Sequence, residues 1–150
     1  MSERIPVDDG NCFACGPENP IGLHLHFEPN PQGEGVRSRA TLPAQFQGWS
    51  TIAHGGIAMS LLDEAMAHAA GLAGHRGMTA SMNVRFRKPV PIGKPVEIFG
   101  RVAWTRRNVL GLEARVLDED GAVLVQADGH FVSMGPLDAA DDRRNPAAER

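Results

Sequence analysis

Aromatic side chains are scarce in this chain: six Phe, two Trp and no Tyr. Proteins that hold single strands of nucleic acid stack bases on aromatic rings inside positively charged grooves. So few rings, with a formal net charge of −3, leave such a partner little to hold, and no nucleic-acid partner is expected. Cysteine is nearly missing as well. Cys12 and Cys15 are the only two, too few for a disulfide framework. No run of about 18 apolar residues occurs, so no membrane span is expected. The opening MSERIPVDDGN has no basic region followed by an apolar stretch. A cytoplasmic, reduced protein is the expectation.

What is present fits a globule. The 150 residues are 42% hydrophobic and 22% charged, the balance of one folded domain. One domain offers no cleft between domains. A site must lie in a groove of that domain or be completed by a second subunit. Residues 1–20, rich in Gly, Pro, Asn and Asp, read as an extended segment, 21–135 as the folded domain and 136–150 as a disordered tail.

One stretch has helical rhythm, from just after His54 to about Ala73. Its apolar positions Ile57, Ala58, Leu61, Leu62, Ala65, Met66, Ala69 and Ala70 recur at helical spacing. Ser60, Asp63, Glu64, Ala67, His68 and Gly71 form the complementary stripe, and Gly71 and Gly74 are placed to end the helix. Elsewhere the pattern alternates as in strands. Val36, Ala40 and Leu42 alternate with Arg37, Arg39 and Thr41. In MTASMNVRFRK, Met78, Ala80, Met82, Val84 and Phe86 share one face, and Thr79, Ser81, Asn83, Arg85 and Arg87 the other. Val96–Thr105, Val109–Leu117 and Ala122–Ser133 follow, with turns at Asn108 and at Asp120–Gly121. Pro89, Pro91 and Pro95 mark a longer connection, and Gly22–Phe27 reads as a weaker strand. Late hairpins with one long helix predict an α+β domain, the helix packed on an antiparallel sheet.

In this order, CFACGPENPIGL, FQGWSTIAHGGIAMSLLDEAMAHAA, TASMNVRFRKPVPIGKPVEIFGRV and EARVLDEDGAVLVQADGHFV span roughly Cys12–Val132. With HGG nine residues before an Asp, the chain resembles the hotdog-fold thioesterase superfamily, in its phenylacetyl-CoA thioesterase-like branch. The resemblance implies an antiparallel sheet wrapped around one long central helix, assembled as a homodimer or a dimer of dimers. It also implies acyl-CoA hydrolysis to free acid and CoA.

The resemblance assigns Asp63 as general base or nucleophile. A carboxylate partly removed from water is the better base. Gly55 and Gly56 stand where backbone N–H groups at a helix start stabilise an oxyanion. His54 adjoins them, as substrate orienter or as a cap of the local backbone. Thr79 matches the hydroxyl that positions water, and on the alternating pattern it shares a face with Asn83. The family dimer implies that Asp63 and Thr79 meet across a subunit boundary. Glu64 points about 100° away from Asp63 around a helix and is the less suited carboxylate. Relatives carry an Asn or Gln upstream of HGG. Here the loop FQGWSTIA has no Asn, and Gln47 is the available substitute; Gln45 and Gly48 also lie there.

The acyl chain is expected along Trp49, Met59 and Met66, and Asn83 beside Thr79. Arg85, Arg87 and Lys88, with Arg106 and Arg107, form a basic rim suited to the phosphates of CoA. Cys12, Cys15, His24 and His26 form a rival zinc-type set, and Glu64 and His68 an i, i+4 pair. The resemblance includes CFACG without calling for metal, so no metal and no cofactor are expected beyond CoA as part of the substrate. The alternative to catalysis is a non-catalytic CoA or acyl-ligand binding protein on the same fold.

Overall fold

Period-two alternation and turn residues lay down the strands, and the apolar stripe of the helix draws them around it. The computed structural model describes residues 7–137. The order is β1 (Glu28–Pro29), β2 (Val36–Thr41), a 3-10 turn (Ala44–Phe46), α1 (Gly55–Leu72), β3 (His75–Phe86), β4 (Pro95–Arg106), β5 (Val109–Leu117) and β6 (Val123–Pro136). All pairings are antiparallel, in one sheet of order β1-β2-β4-β5-β6-β3. Helix α1 packs against β2, β3, β4, β5 and β6. This is the α+β hotdog fold read from the sequence. Residues 1–6 of the leading segment, and the tail from 138 onward, lie outside the described residues. Among the described residues no helix is long and apolar enough to cross a membrane.

The core sits between α1 and the sheet. Leu61, Leu62, Ala65, Met66, Ala69 and Ala70 are buried against residues that include Ile98, Leu110, Val116 and Val125. The small residues of α1 permit close approach, and β4 answers with Gly100. A Cβ at Gly100 would collide with the carbonyl of Ala65. The helix ends at Gly74, whose φ of +92° suits glycine and whose N–H donates to the Gly71 carbonyl at 2.9 Å. At the β5–β6 turn Gly121 has φ +82°, and Asp118 Oδ1 accepts from the N–H groups of Asp120 and Ala122, both at 2.9 Å.

Three expectations change. Glu64 and His68, placed on the polar stripe, are 8% and 7% exposed. The chain before β1 covers them: the Phe27 ring stacks on His68 with centroids 4.6 Å apart, and Cys12 meets Glu64. Secondly, Gly22–Phe27 is not a strand of the sheet. It runs beside the 12–15 turn, with Leu23 and Leu25 N–H donating to the carbonyls of Phe13 and Ala14 at 2.9 and 2.8 Å. Leu25 and Phe27 still reach the core.

Thirdly, β3 does not alternate throughout. Its register against β6 shifts between Thr79 and Ser81: Thr79 lies opposite Phe131, and Ser81 opposite the next residue, His130. The extra residue, Ala80, is a β-bulge, and it reverses the phase of the strand. Thr79 therefore faces the helix together with Met82 and Val84. Asn83 and Arg85 line a hollow on the opposite sheet face with Arg101, Glu113 and Arg115.

Close approach at Gly100 makes a measurable demand. Gly100→Ala should destabilise the protein by about 1–3 kcal/mol, since α1 must move off β4. Urea unfolding checks this, and an unchanged midpoint would show that the helix can shift at no cost.

Candidate active site

Asp63 lies in the third turn of α1, where the helix passes the bulge of β3. The Thr79 hydroxyl donates to Asp63 Oδ1 at 2.7 Å within the same chain. The expectation that these two residues meet across a subunit boundary is thereby corrected. The bulge is the reason: it turns Thr79 inward toward its own helix. Asp63 is half-buried and Thr79 exposed, so the pair is accessible from outside the fold.

The helix start is organised separately. His54 is the N-cap, and its Nδ1 accepts the N–H of Gly56 at 2.9 Å. The His54 carbonyl accepts the N–H groups of Ile57 and Ala58 at 2.9 and 3.0 Å. Of the two glycines, Gly56 is thus engaged by the cap. Gly55 supplies the first amide of the helix, which has no acceptor within it. Gly55 is exposed, and the Phe86 ring lies nearby, 3.8 Å from where a Cβ would stand. Phe86 is 57% exposed.

The remaining candidates separate. Gln47 is exposed in a bridge with Ala53, in the loop that curls back on His54. Gly48 packs against His54, with room for no more than a tight Cβ contact at 3.2 Å. Trp49, at the tip of the loop, is 84% exposed, and Met59 on α1 is 38% exposed. Met66 is 1% exposed in the core, so it offers no surface to an acyl chain, contrary to expectation. Asn83 lies on the opposite sheet face from Thr79, as does Arg85, and neither is brought to Asp63. The Arg87 Nε donates to Gln126 Oε1 at 3.3 Å, and Lys88 is exposed in the following loop.

The architecture and this helix carry a family signature. The Thioesterase superfamily model matches residues 51–125. The chain belongs to this superfamily. No curated protein gives a significant match. Among solved structures, a thioesterase superfamily protein is 28% identical, with a TM-score of 0.78 over 89% of this chain and 68% of that one. The Escherichia coli PaaI protein from the phenylacetic acid degradation operon is 17% identical, with a TM-score of 0.68 over 76% of this chain and 82% of its own. A hypothetical thioesterase from Streptococcus pneumoniae, solved with coenzyme A, is also 17% identical, with a TM-score of 0.70 over 76% and 88%. These last two likenesses show the shared fold.

Two features were beyond reach of the pattern. No composition rule marks Ala80 as an extra residue, and nothing local ties Glu64 to a turn some fifty residues earlier. The cap was in reach: a His directly before two glycines and a helix can fold back onto the second amide.

The cap can be tested apart from the chemistry. His54→Ala should lower stability by about 1 kcal/mol, and His54→Asn, a good capping residue, should restore it. Thermal unfolding and turnover are read on both. If Asn restores stability but not turnover, the imidazole does more than cap.

Proposed function

We propose that this chain is an acyl-CoA thioesterase, hydrolysing an acyl-CoA thioester to the free acid and CoA. The observation that carries this reading is the Asp63–Thr79 hydrogen bond, on the accessible side of the helix of a thioesterase superfamily member. The coenzyme A bound in the Streptococcus pneumoniae structure supports the substrate class. Asp63 acts as base on a water that the Thr79 hydroxyl helps to hold, or attacks the carbonyl itself, expelling the CoA thiolate and leaving an acyl anhydride that water then hydrolyses. Gly55 N–H, aided by the positive end of α1, receives the carbonyl oxygen as it becomes an anion. Asp63 then returns a proton to the departing thiolate in the base route. These steps need no cofactor besides the CoA of the substrate.

Geometry adds a condition. Asp63 follows Gly55 by eight positions, and at 1.5 Å per position that is about 12 Å along the helix. One carbonyl cannot touch both ends at once. The Gly55 of one copy must serve the Asp63 and Thr79 of another, so the site is completed by a homodimer, with a dimer of dimers as an extension. The surface supports this assembly. β3 is a 12-residue edge strand, and Met78 and Phe86 along it are 60% and 57% exposed. Long, apolar edges are sites of pairing with another chain.

Three variants test the reading. Asp63→Asn should reduce kcat/KM by about 10²–10⁴-fold across a panel of short, medium, long and aromatic acyl-CoAs. Thr79→Ala should cost less, roughly 10- to 100-fold. Gly55→Pro deletes one N–H at the first helical position, which proline tolerates, and the His54 ψ of 140° suits a following proline. Its loss should be about 10²–10³-fold. Tight CoA binding without turnover of any acyl-CoA would favour the binding protein instead.

Mixing Asp63→Asn with Gly55→Pro separates the composite site from a single-chain one. Statistical exchange makes half the dimers mixed, each with one intact site, so about a quarter of wild-type activity should return. Activity no greater than the average of the two variants alone would show that each chain carries its own whole site.

A further inference from the structure

The residue after Asp63 belongs to a different cluster. Glu64, on the other flank of α1, is 8% exposed, and its carboxylate meets groups from the leading segment. Cys12 Sγ lies 3.8 Å from Glu64 Oε1, and His68 Nε2 lies 3.2 Å from the same oxygen. One ligand atom from each of Cys12, Cys15 and Glu64 falls within 4.8 Å of the others. Cys15 and His68 are both 7% exposed, Cys12 is half-buried, and both thiols are free.

The backbone presents the two sulfurs as a pair. Residues 12–16 form a tight turn in which the Gly16 N–H donates to the Cys12 carbonyl at 2.8 Å and the Ala14 N–H points at Cys12 Sγ at 3.4 Å. Gly16 is required, because a Cβ there would overlap the Cys12 backbone and the Gly10 carbonyl. Burial, with Glu64 alongside, pushes the Cys15 thiol far above its ordinary value, so in the metal-free chain this thiol keeps its proton.

We propose that Cys12, Cys15 and Glu64, with His68 behind the carboxylate, bind a thiophilic divalent cation of the zinc class. A tetrahedral ion with bonds of about 2.3 Å to sulfur holds its sulfurs roughly 3.8 Å apart, so the cluster needs only a small contraction. Two thiols, an imidazole and one carboxylate suit zinc, whereas calcium and magnesium require an oxygen cage. His68 is either the fourth ligand or the hydrogen-bond partner that orients Glu64, as outer groups do around metal ligands. Binding releases the thiol protons. The ion joins the leading segment to α1 and stands apart from the Asp63–Thr79 pair, so it acts on structure and takes no step in thioester hydrolysis.

The ligand set differs from the one the sequence offers. His24 and His26 are both exposed, and His24 Nε2 engages the Asn19 carbonyl. Glu64 and His68 take their place because the helix, not the following segment, lies over the turn. Asp8, Asp9 and Arg76 line the adjoining cleft, which leads from solvent to Cys12 and Glu64.

The test uses cobalt(II) as the probe on the full, thiol-reduced chain. Titration should produce a thiolate-to-cobalt charge-transfer band that saturates near one equivalent per chain and disappears on adding zinc(II). The band should be lost in Cys15→Ser and in the half-buried Cys12→Ser, and weakened or shifted in Glu64→Gln. It should persist in a His24→Ala/His26→Ala double variant, with circular dichroism confirming the fold of each. Absence of the band in folded wild type overturns the proposal whatever the variants do. So does its persistence without Cys12, its loss in the double histidine variant, or a Cys12–Cys15 disulfide in protein purified without oxygen.

Discussion

A single 18-residue helix has to lose most of its surface to one sheet and one flanking segment, and this constraint orders everything else. The sheet takes the face of Leu61, Leu62, Ala65 and Met66. The turn at Cys12–Cys15, with Phe27, takes the flank of Glu64 and His68. The strip left accessible holds Asp63, Met59 and the first turn at Gly55. On the reading proposed above, hydrolysis is confined to that strip because the rest of the helix surface is buried.

Two neighbouring carboxylates show how far the same constraint separates roles. Asp63 and Glu64 differ by about 100° of rotation on an α-helix. One reaches an accessible strand hydroxyl, and the other is enclosed with two thiols and an imidazole. Identical functional groups one residue apart thus meet an aqueous face and a nearly dry one. On the reading proposed above, the first does hydrolysis and the second anchors the chain.

The helix, its ends and the late hairpins were legible in the sequence, because each is a local pattern. Apolar spacing near 3.6 marks α1, and Asp120–Gly121 marks a turn whose geometry glycine alone adopts with ease. The motif pointed to Asp63 and Thr79, and the structure joins the two by a hydrogen bond within one chain. What escaped depends on partners distant in the chain. Alternation placed Thr79 with Asn83, and only the register against β6 shows that Ala80 reverses the phase. The helical wheel placed Glu64 and His68 outward, and only the return of the leading segment buries them. The cysteines were paired with the nearest histidines in sequence, whereas helix periodicity carries a glutamate to them instead.

The bulge at Ala80 also bears on how such a chain can drift. Losing one residue there would leave every pairing from Ser81 to Phe86 unchanged, since those positions are fixed by β6. Only the side chains before the bulge would change sides, and Thr79 would turn from its carboxylate to the outer face. A lineage could keep the fold, the helix motif and every named side chain, and still part with its hydroxyl through a single deletion. On the reading proposed above, function in this scaffold is therefore carried by a count of residues as much as by their identities.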